Sequence, residues 1–449
     1  MASDEVAQEL WLSLAEVEAL RGARAGHDAA FERAVDLLEC AGDRAGLAQA
    51  HAVRGRLMRT ALCYPHETLS AYRRATEIIE LEGIDAPELR ALALAGSAWA
   101  EAVVGDPRRA EQLIAAVERL PEARHDRALR TELALYRAMS LMRAGRLGAS
   151  EQQSVVAARR ARGAQRVDLA RVALNTAASA AAARGDYERA LAHAERAIET
   201  GRAGARLELE SHAARAYALS RLGRHEEALD AARLERAVAR RCGNEEQEAI
   251  AAFDAGSIAL EAARGRDASE LLSAALDSGL SRLPRALARL RLADARLLMD
   301  DVAGAADEIE RFPFEPVGPA DVPATLVPQL ERLQGLIAFA RGKPELALRR
   351  LDDAESAWRR MLTGDGPREQ LAATVVDLGR APVAGLVEPG VGLGRVLAER
   401  AVLLAEQRRG REARAAADEA ARIAAELRFD GYRSLLERTA TTNAAYARV

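Results

Sequence analysis

The sequence contains little of what a β-rich or disulfide-stabilised protein needs. Aromatic residues make up 4% of the 449 residues, and the cysteines, Cys40, Cys63 and Cys242, are an odd number set far apart. Strands are enriched in aromatic residues, and disulfide frameworks usually have even sets of cysteines at regular spacings. The composition therefore predicts neither a sheet nor a disulfide core. A reducing compartment, the cytoplasm, is the expected location.

The sequence also lacks a strong net charge and long apolar runs. Its formal charge is −4, from 64 basic and 68 acidic residues, and its N-terminal segment Met-Ala-Ser-Asp-Glu-Val carries two acidic residues where a secretion signal needs basic ones. No stretch of about 18 apolar residues, the length that spans a bilayer, occurs. A charge so near zero provides no global attraction for nucleic acid or an anionic lipid surface. We therefore expect no direct nucleic-acid binding and no membrane association.

Motifs for nucleotide binding and catalysis are missing as well. Lys343 is the only lysine and no P-loop precedes it, while the glycines of residues 390–394 follow no strand that could form a dinucleotide-binding unit. No nucleophile elbow and no His-Glu-x2-His motif occurs. The sequence thus predicts a protein that is not an enzyme and that needs no cofactor.

Two histidine-containing patterns have the residue types of metal sites. Cys63-x2-His66 has the spacing of one ligand pair of a zinc site, but the nearby His51 and Cys63 would lie about 18 Å apart on one helix. The pairs His27-Asp28 and His125-Asp126 fall in polar breaks, where we interpret them as ordinary surface or capping residues. No metal site is predicted.

The sequence is rich in Ala, Leu, Arg and Glu, and these residues recur in a repeated pattern. An amphipathic run, a glycine-containing turn, a second amphipathic run and a polar break follow one another, most clearly from Ala170 to Gly201. Glycines in the successive turns at 105, 145, 185, 223 and 265 are separated by 40, 40, 38 and 42 residues. A period of this kind indicates stacked copies of one helical hairpin.

The repeats predict ten antiparallel hairpins. Their expected ranges are 8–40, 45–82, 87–120, 126–163, 167–201, 205–242, 245–279, 283–311, 326–362 and 393–428. The predicted division of the chain is a repeat region at 1–362, an inserted segment rich in Gly and Pro at 363–392, and a final hairpin with a C-terminal cap at 393–449. The insertion lengthens the step from Gly342 to the next turn glycine, Gly410, to 68 residues.

Two turns carry a more specific likeness. Gly185-Asp186-Tyr187 is followed by Ala190 and Ala197, and Gly223-Arg224 is followed by Ala228. These residues resemble the turn and second-helix positions of the tetratricopeptide (TPR) superfamily. The step near 40 and the Ala-rich first helices are similar to the longer hairpins of large bacterial transcriptional and signalling regulators. The resemblance implies an all-α fold, an α-solenoid in which the hairpins form a right-handed superhelix.

The resemblance also implies a concave groove lined by the first helix of each hairpin. Carrying over the groove positions of the family predicts an apolar end, with Met and Tyr, and an arginine-rich end that suits an acidic ligand group. The predicted groove residues are Leu135, Met139, Met142, Asn175, Ser179, Tyr217, Arg221, Arg291, Arg332 and Arg400.

Three functions fit such a groove. The leading hypothesis is a non-catalytic scaffold, in bacterial regulation or signalling, that binds a protein or peptide partner. The alternatives are a regulator that senses a small molecule or signal peptide, and an accessory subunit of a partner enzyme. An apolar face on a terminal hairpin would also permit homo-oligomer formation.

Overall fold

The computed structural model describes most of the chain. The described residues are 2–20, 24–59, 65–121, 123, 126–201, 205–242, 245–278, 280, 282–312, 326–363, 389–427, 436–437 and 439–441. They contain helices, turns and bends, and no β-strand occurs among them. The prediction of an all-α protein is confirmed.

Twenty long helices follow one another along the described ranges. They are α1 (Ala2–Leu20), α2 (Arg24–Ala41), α3 (Arg44–Leu57), α4 (Pro65–Leu81), α5 (Pro87–Val103), α6 (Pro107–Arg119), α7 (Arg127–Arg143), α8 (Leu147–Gly163), α9 (Val167–Ala183), α10 (Tyr187–Glu199), α11 (Ala205–Arg221), α12 (His225–Cys242), α13 (Glu245–Glu261), α14 (Gly265–Asp277), α15 (Arg282–Leu298), α16 (Val302–Glu310), α17 (Leu326–Ala340), α18 (Pro344–Thr363), α19 (Pro389–Glu406) and α20 (Gly410–Leu427).

These helices pair in sequence as ten hairpins, numbered 1 to 10 from the N-terminus. The predicted hairpin ranges agree with the helix bounds to within a few residues, and the helical-repeat architecture is confirmed. The chain divides into two compact units. Unit 1 contains Met1–Ala180, and unit 2 begins at Ala181. Most of the predicted insertion, residues 364–388, lies outside the described residues, and the three-part division stays a prediction.

Aspartate side chains begin several of the helices. The carboxylates of Asp43, Asp106, Asp126, Asp186 and Asp301 each accept a hydrogen bond from a backbone N–H of the first helical turn. These N–H groups have no partner inside the helix, so an aspartate at the N-cap stabilises its start. Short polar breaks therefore end one helix and begin the next.

The reversals inside the hairpins use residues with a positive φ. Gly145, Gly185, Gly223 and Gly342 have φ values of 70°, 78°, 74° and 72°, as the glycine-containing turns predicted. Other turns differ from the prediction, and Gly105 is not among the residues with a positive φ. The residues with positive φ in hairpins 7 and 10 are Ala263 and Arg408, whereas Gly265 and Gly410 are the first residues of helices α14 and α20.

Close helix packing explains the glycines of residues 390–394. All of them lie in α19, which begins at Pro389, before the predicted start of the last hairpin at 393. A Cβ atom on Gly392 would lie 2.4 Å from the indole of Trp358, whose exposed fraction is 1%. Glycine is therefore needed here because a buried tryptophan packs against the first turns of α19.

No helix among the described residues is both long enough and apolar enough to cross a bilayer.

Candidate binding surfaces on the first helices

The odd-numbered helices, each the first of its hairpin, pack side by side within each unit. In unit 1, α3 contacts α5 and α5 contacts α7. In unit 2, α11, α13, α15, α17 and α19 contact one another in succession. We call the surfaces that these helices form the first-helix face of unit 1 and the first-helix face of unit 2.

Five of the predicted groove residues belong to unit 1. Leu135 is buried on α7, whereas Met139 and Met142, farther along the same helix, are partly exposed. Asn175 and Ser179 are buried on α9, and the Ser179 hydroxyl donates to the Asn175 carbonyl at 3.0 Å. Among these five residues, the two methionines offer the most accessible side chains.

The structure adds a group of residues to this face that the sequence reasoning missed. Arg59 follows α3, Trp99 lies on α5, and Glu132 and Tyr136 lie on α7. The Arg59 guanidinium carbon lies 5.9 Å from the centroid of the Trp99 ring and 6.0 Å from that of Tyr136. We call these four residues, together with the predicted Met139, which lies three residues after Tyr136 on α7 and is partly exposed, the anchor cluster.

Hydrogen bonds hold the polar members of the anchor cluster in place. Arg59 Nη1 donates to the Tyr136 hydroxyl, and that hydroxyl donates to Glu132 Oε2 at 2.5 Å. Arg59 also lies 3.7 Å from Glu132, and the side chains of both are about one-fifth exposed, at 19% and 20%. Burial raises the pKa of Tyr136, so its hydroxyl keeps its proton. Burial alone would lower the pKa of Arg59, but the nearby Tyr136, Tyr72 and Glu132 raise it.

Tyr72 of helix α4 packs beneath this cluster. It is fully buried, and Cβ atoms built on Gly55 and Gly96 would meet its ring at 2.9 and 2.2 Å. Among the described residues its hydroxyl has no hydrogen-bond partner, and burial raises its pKa. Two glycines on neighbouring first helices thus accommodate one tyrosine ring, which fixes the distance between α3 and α5 where the anchor cluster forms.

Regular spacing in the sequence is the signal that could have identified this cluster. Arg59, Trp99, Met139 and Ser179 are separated by 40 residues each, the same interval as the turn glycines. They are therefore equivalent positions in successive first helices. The prediction took its positions from the fourth hairpin onward and so left out the second and third.

The predicted residues of unit 2 lie among ion pairs. Tyr217 is buried on α11, where its ring makes an edge contact with Tyr187, and the Arg221 guanidinium carbon lies 5.1 Å from the Tyr217 centroid. Arg221 Nη2 lies 3.1 Å from Glu261 Oε1 on α13. The second oxygen of Glu261 accepts from the Ser220 hydroxyl at 2.5 Å.

A second set of ion pairs joins hairpins 8, 9 and 10. Arg332 of α17 donates to Asp294 of α15 at 2.5 Å and to Glu399 of α19 at 2.6 Å, and all three side chains are about 6 to 7% exposed. Arg395, one turn before Glu399, contacts both carboxylates at 3.1 and 3.2 Å. Arg332 therefore bridges the first helices on either side of its own.

Arg291 lies between these two sets of ion pairs. It is buried on α15, and burial lowers its pKa to about 10, although Glu261 and Asp294 oppose the change. For Glu261 and Asp294, the nearby charges outweigh the effect of burial on the pKa. Burial alone would raise the pKa of each carboxylate, but the surrounding arginines keep it below its usual value. We call Arg221, Glu261, Arg291, Asp294, Arg332, Arg395 and Glu399 the ion-pair network.

Arg400 lies outside this network. Its guanidinium contacts Asp352 at 2.8 Å and Glu355 at 3.5 Å, and both carboxylates belong to α18, the second helix of hairpin 9. The preceding residue, Glu399, is the one that points to Arg332. The structure thus places Arg221, Arg291 and Arg332 in one network, whereas Arg400 forms its ion pairs with α18.

The structure also places some of the histidines and cysteines. Within the described ranges, no three His, Cys, Asp or Glu residues come together as metal ligands would. Asp126 caps α7, as expected, but His27 is fully buried and its Nδ1 lies 2.8 Å from the Ala15 carbonyl. The interpretation of His27 as a surface residue was wrong because its helix face packs against α1. Cys63 and His125 lie outside the described residues.

Comparisons with solved structures reveal a shared fold. The apo form of RapI matches with a TM-score of 0.57 and 12% identity over 86% of this chain and 97% of that chain. A Rap protein complexed with competence and sporulation factor matches with a TM-score of 0.53 and 11% identity over 85% and 98%.

A tetratricopeptide repeat protein from Parabacteroides merdae matches with a TM-score of 0.42 and 16% identity over 64% of this chain and 98% of that chain. No protein-family model and no curated protein matches the sequence. At these identities the likeness concerns the fold alone. The chain shares a helical-repeat fold with RapI and the Rap protein.

Proposed function

We propose that this chain is a non-catalytic scaffold that binds a protein or peptide partner through the first-helix face of unit 1. The anchor cluster is the observation that carries the proposal. It combines Trp, Tyr, Met and Arg, the residue types that contribute most to binding energy at protein interfaces. Four of its side chains, those of Arg59, Trp99, Glu132 and Met139, remain partly exposed.

Preorganisation favours binding at this surface. The Arg59 guanidinium is held by Tyr136 and Glu132, and Tyr72 fixes the helices below. Side chains that are already immobilised lose little entropy when a partner binds, so more of the contact energy contributes to affinity. A peptide lying across α3, α5 and α7 would place an apolar side chain against Trp99 and Met139.

The first-helix face of unit 2 supports binding less directly. Its arginines already contact carboxylates, so an acidic ligand would have to compete with Glu261, Asp294 and Glu399. Binding of an acidic group there stays a prediction of the sequence. The bacterial regulatory role implied by the TPR resemblance belongs to this proposal as well, and a Rap protein of similar fold has been solved in complex with competence and sporulation factor.

Selection from a random peptide library displayed on phage tests the proposal. The wild-type protein is the bait, and the enriched peptides are then titrated against the double variant Trp99→Ala, Met139→Ala. We expect micromolar binding to the wild type and at least about a tenfold loss in the variant. Circular dichroism and melting curves establish that the variant is folded.

A matched control uses a residue outside the surface. Val156 lies on α8, the second helix of hairpin 4, and is 37% exposed, so Val156→Ala should leave peptide affinity unchanged. Enriched peptides that bind the folded double variant as tightly as the wild type would contradict the proposed surface. Failure to enrich any peptide, together with a small molecule retained in native mass spectra, would support the ligand-sensing alternative instead.

A further inference from the structure

Helix α1 presents an apolar stripe that no described part of the chain covers. Val6, Leu10, Leu14 and Val17 are 56%, 64%, 41% and 44% exposed. They recur at intervals of four, four and three residues, so they share one face of the helix. Four large apolar side chains aligned on one exposed helix face are more than the scattered apolar residues normal on a surface.

The opposite side of α1 holds the helix firmly on unit 1. Ala15 and Ala19 are buried, and Trp11 and Leu12 pack with Phe31 and Leu38 of α2. The Gln8 amide donates to the Leu37 carbonyl at 3.4 Å. Because α1 already packs one side against the core, the exposed stripe of Val6, Leu10, Leu14 and Val17 is a second apolar face of the same helix.

Charge on α1 has a single sign. The helix contains Asp4, Glu5, Glu9, Glu16 and Glu18 and no lysine or arginine. Seven residues separate Glu9 from Glu16, which places both along one edge of the stripe, and Glu18 lies along the other edge. Arg56 of α3 contacts Glu16 at 3.2 Å and offsets that charge in part, and the Glu18 carboxylate packs against Gly26 of α2, whereas Glu9 is exposed.

This charge selects among the possible occupants. A second copy of the chain would bring an equally acidic α1 against the first, and like charges beside an apolar seam oppose pairing. A helix whose apolar seam is flanked by lysine or arginine would instead bury the stripe and pair with the acidic edge that holds Glu9.

We propose that the α1 stripe docks an amphipathic helix of a partner protein with basic residues on the side of its apolar seam that faces Glu9. The seam of such a helix repeats at intervals of three and four residues and matches the spacing of Val6, Leu10, Leu14 and Val17. The stripe lies on different residues from the anchor cluster, so this proposal does not depend on the proposed function.

Two synthetic peptides test the proposal. Each is about three heptads long with leucine at the seam positions, and one carries lysine on both flanks while the other carries glutamate. Fluorescence anisotropy with the full chain should show the lysine peptide binding at least about tenfold tighter than the glutamate peptide. The affinity should fall when the salt concentration rises, because charged flanks contribute.

Paired variants localise the binding. Leu10→Glu with Leu14→Glu should weaken the lysine peptide at least about tenfold, and because both side chains are exposed, the fold should persist. Leu81→Glu, at an 80% exposed residue of α4, adds the same type of charge elsewhere and should have no effect. Equal binding of the two peptides, or binding that survives the double change, overturns the proposal. A concentration-dependent dimer abolished by the double change would assign the stripe to a second copy.

Discussion

Backbone conformation at single turn residues has a measurable cost in this chain. Gln165, Ala263, Asp300 and Arg408 have positive φ values of 56°, 57°, 61° and 62°. An L-residue with a side chain is strained in this region by about 1 to 2 kcal/mol, and aspartate tolerates it better than alanine. The hairpin geometry imposes this conformation even where the sequence does not supply glycine.

Replacing Ala263 by glycine should therefore stabilise hairpin 7. Relief of the strained φ exceeds the added entropy of the unfolded chain, so we expect Ala263→Gly to raise the free energy of unfolding by about 0.5 to 1 kcal/mol. Urea denaturation followed by circular dichroism measures the change. The reverse substitution, Gly223→Ala, should lower stability by a similar amount. A loss of stability in Ala263→Gly would contradict this account of the turn.

His51 gives unit 1 a pH-dependent stability. Burial, and then the charges of Arg74 and Arg54, lower its pKa to about 4. An unfolded histidine has a pKa near 6.5, so between about pH 6.5 and 4 the unfolded chain binds a proton that the folded chain rejects. Stability should fall as the pH drops through this window, and above it the effect is absent.

A glutamine at position 51 isolates this effect. Because the ring is partly exposed, solvent screening reduces the expected loss between pH 7 and 4.5 to about 1 to 2 kcal/mol. Urea midpoints at the two pH values should differ by less in His51→Gln than in the wild type. If both proteins lose the same stability, other groups are responsible and the assignment to His51 is wrong.

At the scale of elements, buried charges decide which first helices lie together. Arg332 connects α15 to α19 through Asp294 and Glu399, two residues 105 positions apart in the sequence. Ion pairs in an apolar interior stabilise a protein little against apolar substitutes, but loss of one partner is expensive. The network therefore favours one arrangement of hairpins 8, 9 and 10 over others that would leave a charge unpaired.

Loss of Arg332 should thus be costly. Arg332→Met leaves two buried carboxylates without their main partner, and we expect it to lower the free energy of unfolding by about 3 to 5 kcal/mol. Arg350→Met is the control, since Arg350 contacts Glu331 at 2.7 Å but is 39% exposed, and it should cost at most about 1 kcal/mol. Adding Asp294→Leu and Glu399→Leu to Arg332→Met should restore part of the loss. Equal effects of Arg332→Met and Arg350→Met would show that burial of the network contributes nothing.

At the scale of the whole molecule, each hairpin packs mainly on its neighbours in sequence within its own unit. In unit 1, α1 contacts α2 and α3, whereas α7 contacts α5, α6 and α8. Stability in such arrays is close to a sum of local and nearest-neighbour contributions, so elements with fewer neighbours open more readily.

Amide hydrogen exchange followed by mass spectrometry measures this gradient. We expect amides of α1 to exchange at least about tenfold faster than those of α7, because α1 needs to break fewer contacts to open. Binding of the lysine-flanked peptide should slow exchange in α1 and leave α7 unchanged. Equal protection of α1 and α7 in the free protein would contradict the nearest-neighbour description.

The sequence by itself determined the number, order and limits of the ten hairpins. This information is local: an amphipathic period gives each helix one buried face, and the polar breaks carry turn glycines and capping aspartates. The predicted ranges agree with the helices for this reason. Met139 and Met142, which the TPR resemblance assigned to the first helix of the fourth hairpin, lie on α7.

Only the tertiary structure decided which side chains meet. Arg59, Trp99 and Tyr136 come from three hairpins, and Glu399 faces Arg332 where its neighbour Arg400 faces α18. Successive side chains of an α-helix point about 100° apart, so adjacent residues face different neighbours. The rotation of each helix about its own axis, which decides what each side chain meets, is set by its packing against the surrounding helices. The periodic pattern specifies a buried stripe, but the pairing of individual charges inside it depends on how neighbouring helices pack.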